Sequence, residues 1–249
     1  MKKTTALVLC GTLASTIPAS GVIIAGWDAF VDQGSETYNA TVVNGVTAQA
    51  VGTSTADGAG WGTWNEEGRS ADGTWGTITG DVAPSTSTDS LTDSIGLRNS
   101  TNAGELTITL NNTSGSALDL TSFHFDGIAR FSDSPDQWSL SILDGSAVTQ
   151  QFDIASGTVE NVGSMADRTQ DAWDIDLTGL ADTTFDDGES VIFELAFTGG
   201  VVDSTSGGHN TMIDNVAVTA VPEPSTVALI SGFSMFALVL FRRFRKGKD

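Results

Sequence analysis

Residues 105–111 read ELTITLN, with Leu106, Ile108 and Leu110 apolar and Thr107 and Thr109 polar between them. A period of two puts alternate side chains on opposite faces of an extended chain, the pattern of an antiparallel strand with one buried and one wet face. The same period recurs at 190–198, where Val191, Phe193, Leu195 and Phe197 alternate with Ile192, Glu194 and Ala196. From Gly21 onward the chain is rich in Thr, Ser, Gly, Asn and Asp and has almost no helical periodicity, so it predicts an all-β domain. Strands are expected at Ile23–Val31, Thr41–Val51, Glu105–Asn111, Leu118–Phe131, Gln137–Leu143, Val148–Ile154, Ala172–Leu177, Ser190–Thr198 and Thr211–Thr219. The dipeptides Asn44-Gly45, Asp72-Gly73, Asp144-Gly145 and Asp187-Gly188 are of the hairpin type, and the last two fall between strands, as in the meander of a single antiparallel β-sandwich. Residues 52–100 depart from the pattern, being Gly, Thr, Ser and Asp-rich with Trp61, Trp64 and Trp75 embedded, and read as long loops with short strands.

The two ends of the chain carry different signals. Lys2 and Lys3 precede the apolar run Ala6–Leu13 and the small residues Ala19, Ser20 and Gly21, the layout of an export signal over residues 1–21. At the other end stand Val-Pro-Glu-Pro-Ser at 221–225, an apolar run from Val227 to Phe241, and the cations Arg242, Arg243, Arg245 and Lys246. As a helix, residues 225–241 span about 25 Å at about 1.5 Å per residue, slightly short of a hydrocarbon core of about 30 Å, so flanking residues must help it span. The basic end acts as a stop that stays cytoplasmic, which leaves the body on the far side of the membrane. A domain of 199 residues, 22–220, thus lies between a removable leader and a tail at 221–249.

In its order of motif, span and basic end, the tail resembles the PEP-CTERM sorting signal of Gram-negative bacteria. The resemblance implies processing by an exosortase, a membrane-embedded transpeptidase, with Pro222, Glu223 and Pro224 as its recognition element and the cell envelope or extracellular matrix as destination. Two prolines one residue apart favour an extended segment that such an enzyme can grip as a strand. The body is similar to jelly-roll, concanavalin-like and carbohydrate-binding-module sandwiches in its opening IAGWDAF (24–30), its central LDLTSFHFDGIARF (118–131) and its closing TMIDNVAVT (211–219). That resemblance implies pairing of the first and last strands, which brings Trp27 and Asp28 near Asp214 and Asn215.

Charge narrows the partners. The body holds four basic residues, Arg69, Arg98, Arg130 and Arg168, against 29 acidic ones, a net charge of −25. Nucleic acid and anionic lipid are excluded as ligands of its surface, since both require a basic face. Such a charge destabilises a compact state unless cations offset it, and calcium is the natural candidate. Asp28, Asp214 and Asn215 are the first choice of ligands, with Asp133 and Asp136, or Asp167 and Asp171, as looser loop pairs. The body contains no cysteine, so no disulfide staples it.

Catalysis finds less support. His124 and His209 are the only imidazoles, neither in a zinc-type spacing nor beside a nucleophile-elbow pattern. His124 alternates with Phe123 and Phe125 and is expected to face solvent. Glu194 sits on a strand with apolar neighbours and is open to projecting either way, and no strand carries the dense Glu-x-Asp-x-x-Glu arrangement of sandwich glucanases. The expectation is therefore a non-enzyme that adheres to or associates with extracellular polysaccharide, with a polysaccharide-active hydrolase or lyase and an inert acidic matrix protein as alternatives. Trp61, Trp64, Trp75 and Trp138 are the expected ring platforms for sugar stacking; Trp27 and Trp173 are expected in the core.

Overall fold

In a computed structural model the alternation at 104–112 becomes a strand whose even-numbered residues are buried. The structure describes residues 21–27, 30, 37–54, 60–64, 94–98, 103–129, 134–143, 151–159, 171–200 and 211–222. Residues 1–20 of the expected leader, Glu223, Pro224, the expected span at 225–241 and the basic end lie outside these residues. Among the described residues there is no helix, and so none long and apolar enough to cross a membrane.

Among the described residues fourteen strands form two antiparallel sheets: β1 (Val22–Trp27), β2 (Thr37–Asn39), β3 (Thr41–Val42), β4 (Val46–Ser54), β5 (Gly60–Trp64), β6 (Ser94–Arg98), β7 (Gly104–Asn112), β8 (Leu118–Ala129), β9 (Gln137–Ile142), β10 (Gln151–Thr158), β11 (Asp171–Asp176), β12 (Thr184–Phe185), β13 (Ser190–Thr198) and β14 (Thr211–Pro222). The first sheet runs β11-β8-β14-β1-β3, with β12 on the start of β8 and β6, carrying β5, on the start of β14. The second runs β10-β9-β13-β7-β4-β2.

Their inner faces meet in one core. Phe123 and Phe125 of β8 point inward against Phe193 and Phe197 of β13, at ring separations of 5.3 and 6.3 Å. Leu106, Ile108, Leu110, Val191 and Leu195 fill the second sheet's inner face, and Ile213, Val216 and Val218 the first sheet's. Trp27 is buried as expected and donates its indole N–H to the Tyr38 carbonyl at 3.1 Å.

β1 and β14 pair, Val22 opposite Ala220 and Trp27 opposite Val216, so the expected closure of first strand on last is present. The expected strand Thr41–Val51 is divided by a turn at Asn44-Gly45, where Gly45 takes φ +84°. β14 continues through Val221 and Pro222, opposite Asp119 and Leu118, two residues past the expected limit of the domain at 220. This places the first residue of the Pro-Glu-Pro motif at the end of a central strand.

Candidate functional site

Strand direction sorts the polar groups into two ends and two outer faces. Call near the end where β8 starts at Leu118 and β14 stops at Pro222, and far the end where β8 stops at Ala129 and β14 starts at Thr211.

Toward the far end, Asp126 of β8 lies opposite Asp214 of β14, and the register then shifts across a bulge to Ala217. Asn215, in the bulge, takes φ +49°, a left-handed conformation that asparagine tolerates better than most residues. Its side-chain amide donates to Asp126 Oδ2 at 2.9 Å, and its backbone N–H donates to Asp214 Oδ1 at 2.8 Å. All three residues are buried. The expected metal ligands Asp214 and Asn215 are thus brought together, with Asp126 as an addition that sequence reasoning missed; Asp28 follows Trp27 but lies outside the described residues. Among the described residues no three acidic, histidine or cysteine side chains converge, and two carboxylates with one amide fall short of the six to eight oxygens calcium takes.

The outer face of the first sheet carries a chain of hydrogen-bonding groups across three strands. Thr121 Oγ1 lies 2.7 Å from Thr219 Oγ1, which in turn meets Ser122 Oγ. Ser122 Oγ lies 2.9 Å from His124 Nε2, and His124 Nδ1 lies 3.2 Å from Asp174 Oδ1. His124 is buried, not solvent-facing as its alternation predicted, because it sits in the middle of the sheet with Asp174 and Ala217 as strand partners. Burial pushes its pKa down, and the attraction of Asp174 opposes this only in part.

The order serine, histidine, aspartate is that of a hydrolase triad, but two requirements are missing. An orienting aspartate is normally buried, whereas the Asp174 side chain is 67 % exposed. Oxyanion stabilisation needs free N–H groups, and Ser122 sits within a strand paired on both sides. The chain therefore acts as a strut joining β11, β8 and β14.

The outer face of the second sheet is broad and half-exposed. Ser139 of β9, Ile192 and Glu194 of β13, Thr107 and Thr109 of β7, and Gln49 and Val51 of β4 stand on it in register, while Ser141 of β9 is buried with its Oγ accepting from the Asp153 N–H at 3.1 Å. Ser190 Oγ donates to Asn111 Oδ1 at 2.5 Å, and Asn111 Nδ2 to Thr47 Oγ1 at 3.1 Å, so three strands share one row. Glu194 holds its proton more tightly than an ordinary glutamate, first because it is partly desolvated and second because Glu105 repels its charge.

Trp138 is removed from the list of sugar platforms. Its ring is 4 % exposed and packs edge-on to Phe125 at 5.0 Å and to Trp173 at 5.4 Å, while Trp173 stacks on Phe125 at 4.8 Å. Its even position on β9 points inward with Leu140 and Ile142, a placement the alternation of QWSLSI contains. Trp173 is packed against the core, as expected. Trp61 and Trp64 lie on β5, with side chains outside the described set, and Trp75 lies outside the described residues altogether.

No known protein-family model matches this sequence. No curated protein matches it either. Among solved structures it is similar to the enzymatically active domain of bacteriophage CBA120 tailspike protein 4, at TM-score 0.36 and 13% identity over 72% of this chain and 20% of that one. It is also similar to a family 11 carbohydrate-binding module from Clostridium thermocellum, in complex with a β-1,3-1,4-mixed-linked tetrasaccharide, at TM-score 0.33 and 11% identity over 80% of this chain and 97% of that one. The chain thus spans a fifth of the tailspike domain's length, and the likeness is one of general β architecture that transfers no residue role.

Proposed function

We propose that this chain is an exported cell-envelope protein, delivered by an exosortase that reads Pro222, Glu223 and Pro224, whose sandwich associates with extracellular polysaccharide without chemistry of its own. The observation that carries the reading is the tail itself, with motif, apolar run and basic end in immediate succession. The body's net charge of −25 sets aside nucleic acid and favours an uncharged or cation-bridged ligand. The outer face of the second sheet supplies hydroxyl, amide and carboxylate groups in rows at strand spacing, a chemistry suited to the hydroxyls of a neutral glycan. Calcium enters the proposal as an ion that offsets the acid load and bridges to ligand.

A second reading has one specific observation behind it: Glu194, with its raised proton affinity and Glu105 nearby, is what a polysaccharide-cleaving enzyme would require of a general acid. Retention of the soluble domain on a polysaccharide panel, with and without chelator, separates the two. Chelator-sensitive retention without new reducing ends supports binding; new reducing ends, lost on Glu194→Gln, establish the enzyme instead. Replacing Pro222, Glu223 and Pro224 by alanine should abolish processing and surface delivery, and unchanged delivery would sink the sorting account.

A further inference from the structure

The last strand and the tail are joined without slack. β14 lies between β8 on one side and β6 and β1 on the other, and its ladder with β8 runs to Pro222 opposite Leu118. Only residues 223–226 then precede Val227, the first residue of the apolar run. From Pro222 to Val227 is at most about 17 Å of extended chain. The headgroup layer takes up roughly 5–7 Å of it on one side of the bilayer.

The leader departs from the same place. Val22 pairs with Ala220, so residues 1–21 and the tail leave neighbouring strands at the same near end. An export precursor with both segments in the bilayer is tethered twice at that end.

The near end is also built as a rigid base. Asn112, fully buried, donates to the carbonyls of Ser116 and Phe185, both at 2.8 Å, and accepts from the Ser114 N–H at 3.0 Å. Gly115 N–H donates to Asp187 Oδ1 at 2.8 Å, Gly188 N–H to the Asn112 carbonyl at 2.7 Å and Thr113 N–H to the Gly45 carbonyl at 2.6 Å. Three turns, at 43–46, 113–117 and 186–189, are thereby bonded into one surface. Its carboxylates are turn caps: Asp182 accepts from Thr184 N–H, and Glu189 from Asp186 N–H. They also make it acidic, so it has no attraction of its own for anionic lipid.

We propose that the near end is a membrane-facing base, held against the phospholipid headgroups by tether length alone, and that it points the opposite end away from the bilayer. The proposal rests on the reading of 225–241 as a membrane span. β14 rises about 36 Å from Pro222 to Thr211, so the cluster of Asp126, Asp214 and Asn215 stands roughly 26 Å above the last paired residue. Because the base is acidic and capped, the tether must work against mild repulsion, and loosening it should let the domain lift away.

The test uses the full chain carrying Cys10→Ser, reconstituted into phosphatidylcholine vesicles that contain a headgroup-attached nitroxide lipid. A fluorophore is placed at Ser116→Cys in the base or at Thr198→Cys at the opposite end, both exposed positions. Quenching at Ser116→Cys is expected to be several-fold stronger than at Thr198→Cys. A Gly-Ser linker of about 20 residues in each tether, between Ser20 and Gly21 and between Pro222 and Glu223, with a root-mean-square reach near 25 Å, should largely relieve it. Equal quenching at the two positions, or quenching at Ser116→Cys that survives the linker, overturns the orientation while leaving the span intact. A chain that does not partition with the vesicles overturns the span reading itself, and the orientation with it.

Discussion

Gly157→Ala tests the aromatic centre of the core with the smallest available perturbation. A methyl at position 157 would lie 2.8 Å from Trp138 Nε1 and 2.9 Å from both Cε2 and Cζ2, closer than real Cβ contacts allow. The indole cannot swing aside, because Phe125 and Trp173 meet it at 5.0 and 5.4 Å and Phe125 is itself held by Phe197 and Trp173. Overpacking of this kind costs about 1–3 kcal/mol. For a domain near 200 residues that lowers the melting temperature by roughly 2–12 °C. Gly179 is the internal control: nothing lies within 4 Å of its Cβ position and its φ is not in the left-handed region. Gly179→Ala should be neutral, or stabilising by about 0.4–1 kcal/mol through the unfolded chain. Thermal unfolding of the soluble domain, followed by near-UV circular dichroism of the tryptophan cluster, reads both. If Gly157→Ala melts with the parent and keeps its near-UV spectrum, Trp138 has room to move, and its exclusion as a sugar platform fails with the packing argument.

Other outcomes follow from the polar groups. Because burial lowers the His124 pKa, the unfolded chain takes up the proton first; the associated stability is complete above the ordinary histidine pKa of about 6.5 and is lost as pH falls from there toward the folded value. Urea midpoints measured between about pH 7.5 and pH 5 should decline in the parent and flatten in His124→Gln. Glu194 behaves oppositely: its raised pKa costs stability as pH climbs through the folded value, so Glu194→Gln should raise the midpoint at neutral pH and leave it unchanged in acid. Asn112→Ala removes three hydrogen bonds from the base and should cost about 2–4 kcal/mol, seen as a lower urea midpoint with unchanged slope. Asn215→Ala both strains a left-handed position and takes a donor from a buried carboxylate, whereas Asn215→Gly relieves the strain and loses only the hydrogen bond, so the glycine variant should melt higher than the alanine variant.

Much of the architecture was legible because a half-buried strand imposes a period of two on its own residues. ELTITLN carries that period without interruption and SVIFELAFT carries it with Ile192 and Ala196 as apolar exceptions on the outer face, and they form neighbouring strands of the second sheet. The Asp187-Gly188 turn was equally visible, since a left-handed φ selects glycine and Gly188 adopts one, whereas Asn44-Gly45, a dipeptide of the same type with Gly45 also left-handed, was read through as part of one strand. The apolar run at 227–241 is proposed as a span on the same logic in another solvent, because a bilayer demands consecutive apolar residues.

Where alternation was read and still misled, the missing fact was which strand lies beside which. The pattern at Ser122, His124 and Asp126 correctly puts these residues opposite Phe123 and Phe125, but an outer face on an edge strand is wet and one in the middle of a sheet is shaded by its neighbours. Only the placement of β8 between β11 and β14 buries His124 and brings it to Ser122 and Asp174. Trp138 shows the converse: its alternation with Ser139 and Ser141 marks a face, and only the opposing sheet makes that face the core. Sequence alone determined the strand character of this chain, because it is a property of consecutive residues in one solvent, and the proposed export and anchoring signals are read on the same ground. The tertiary structure decided which polar groups meet, and that the last strand runs as far as Pro222, because both depend on pairing between residues up to two hundred positions apart.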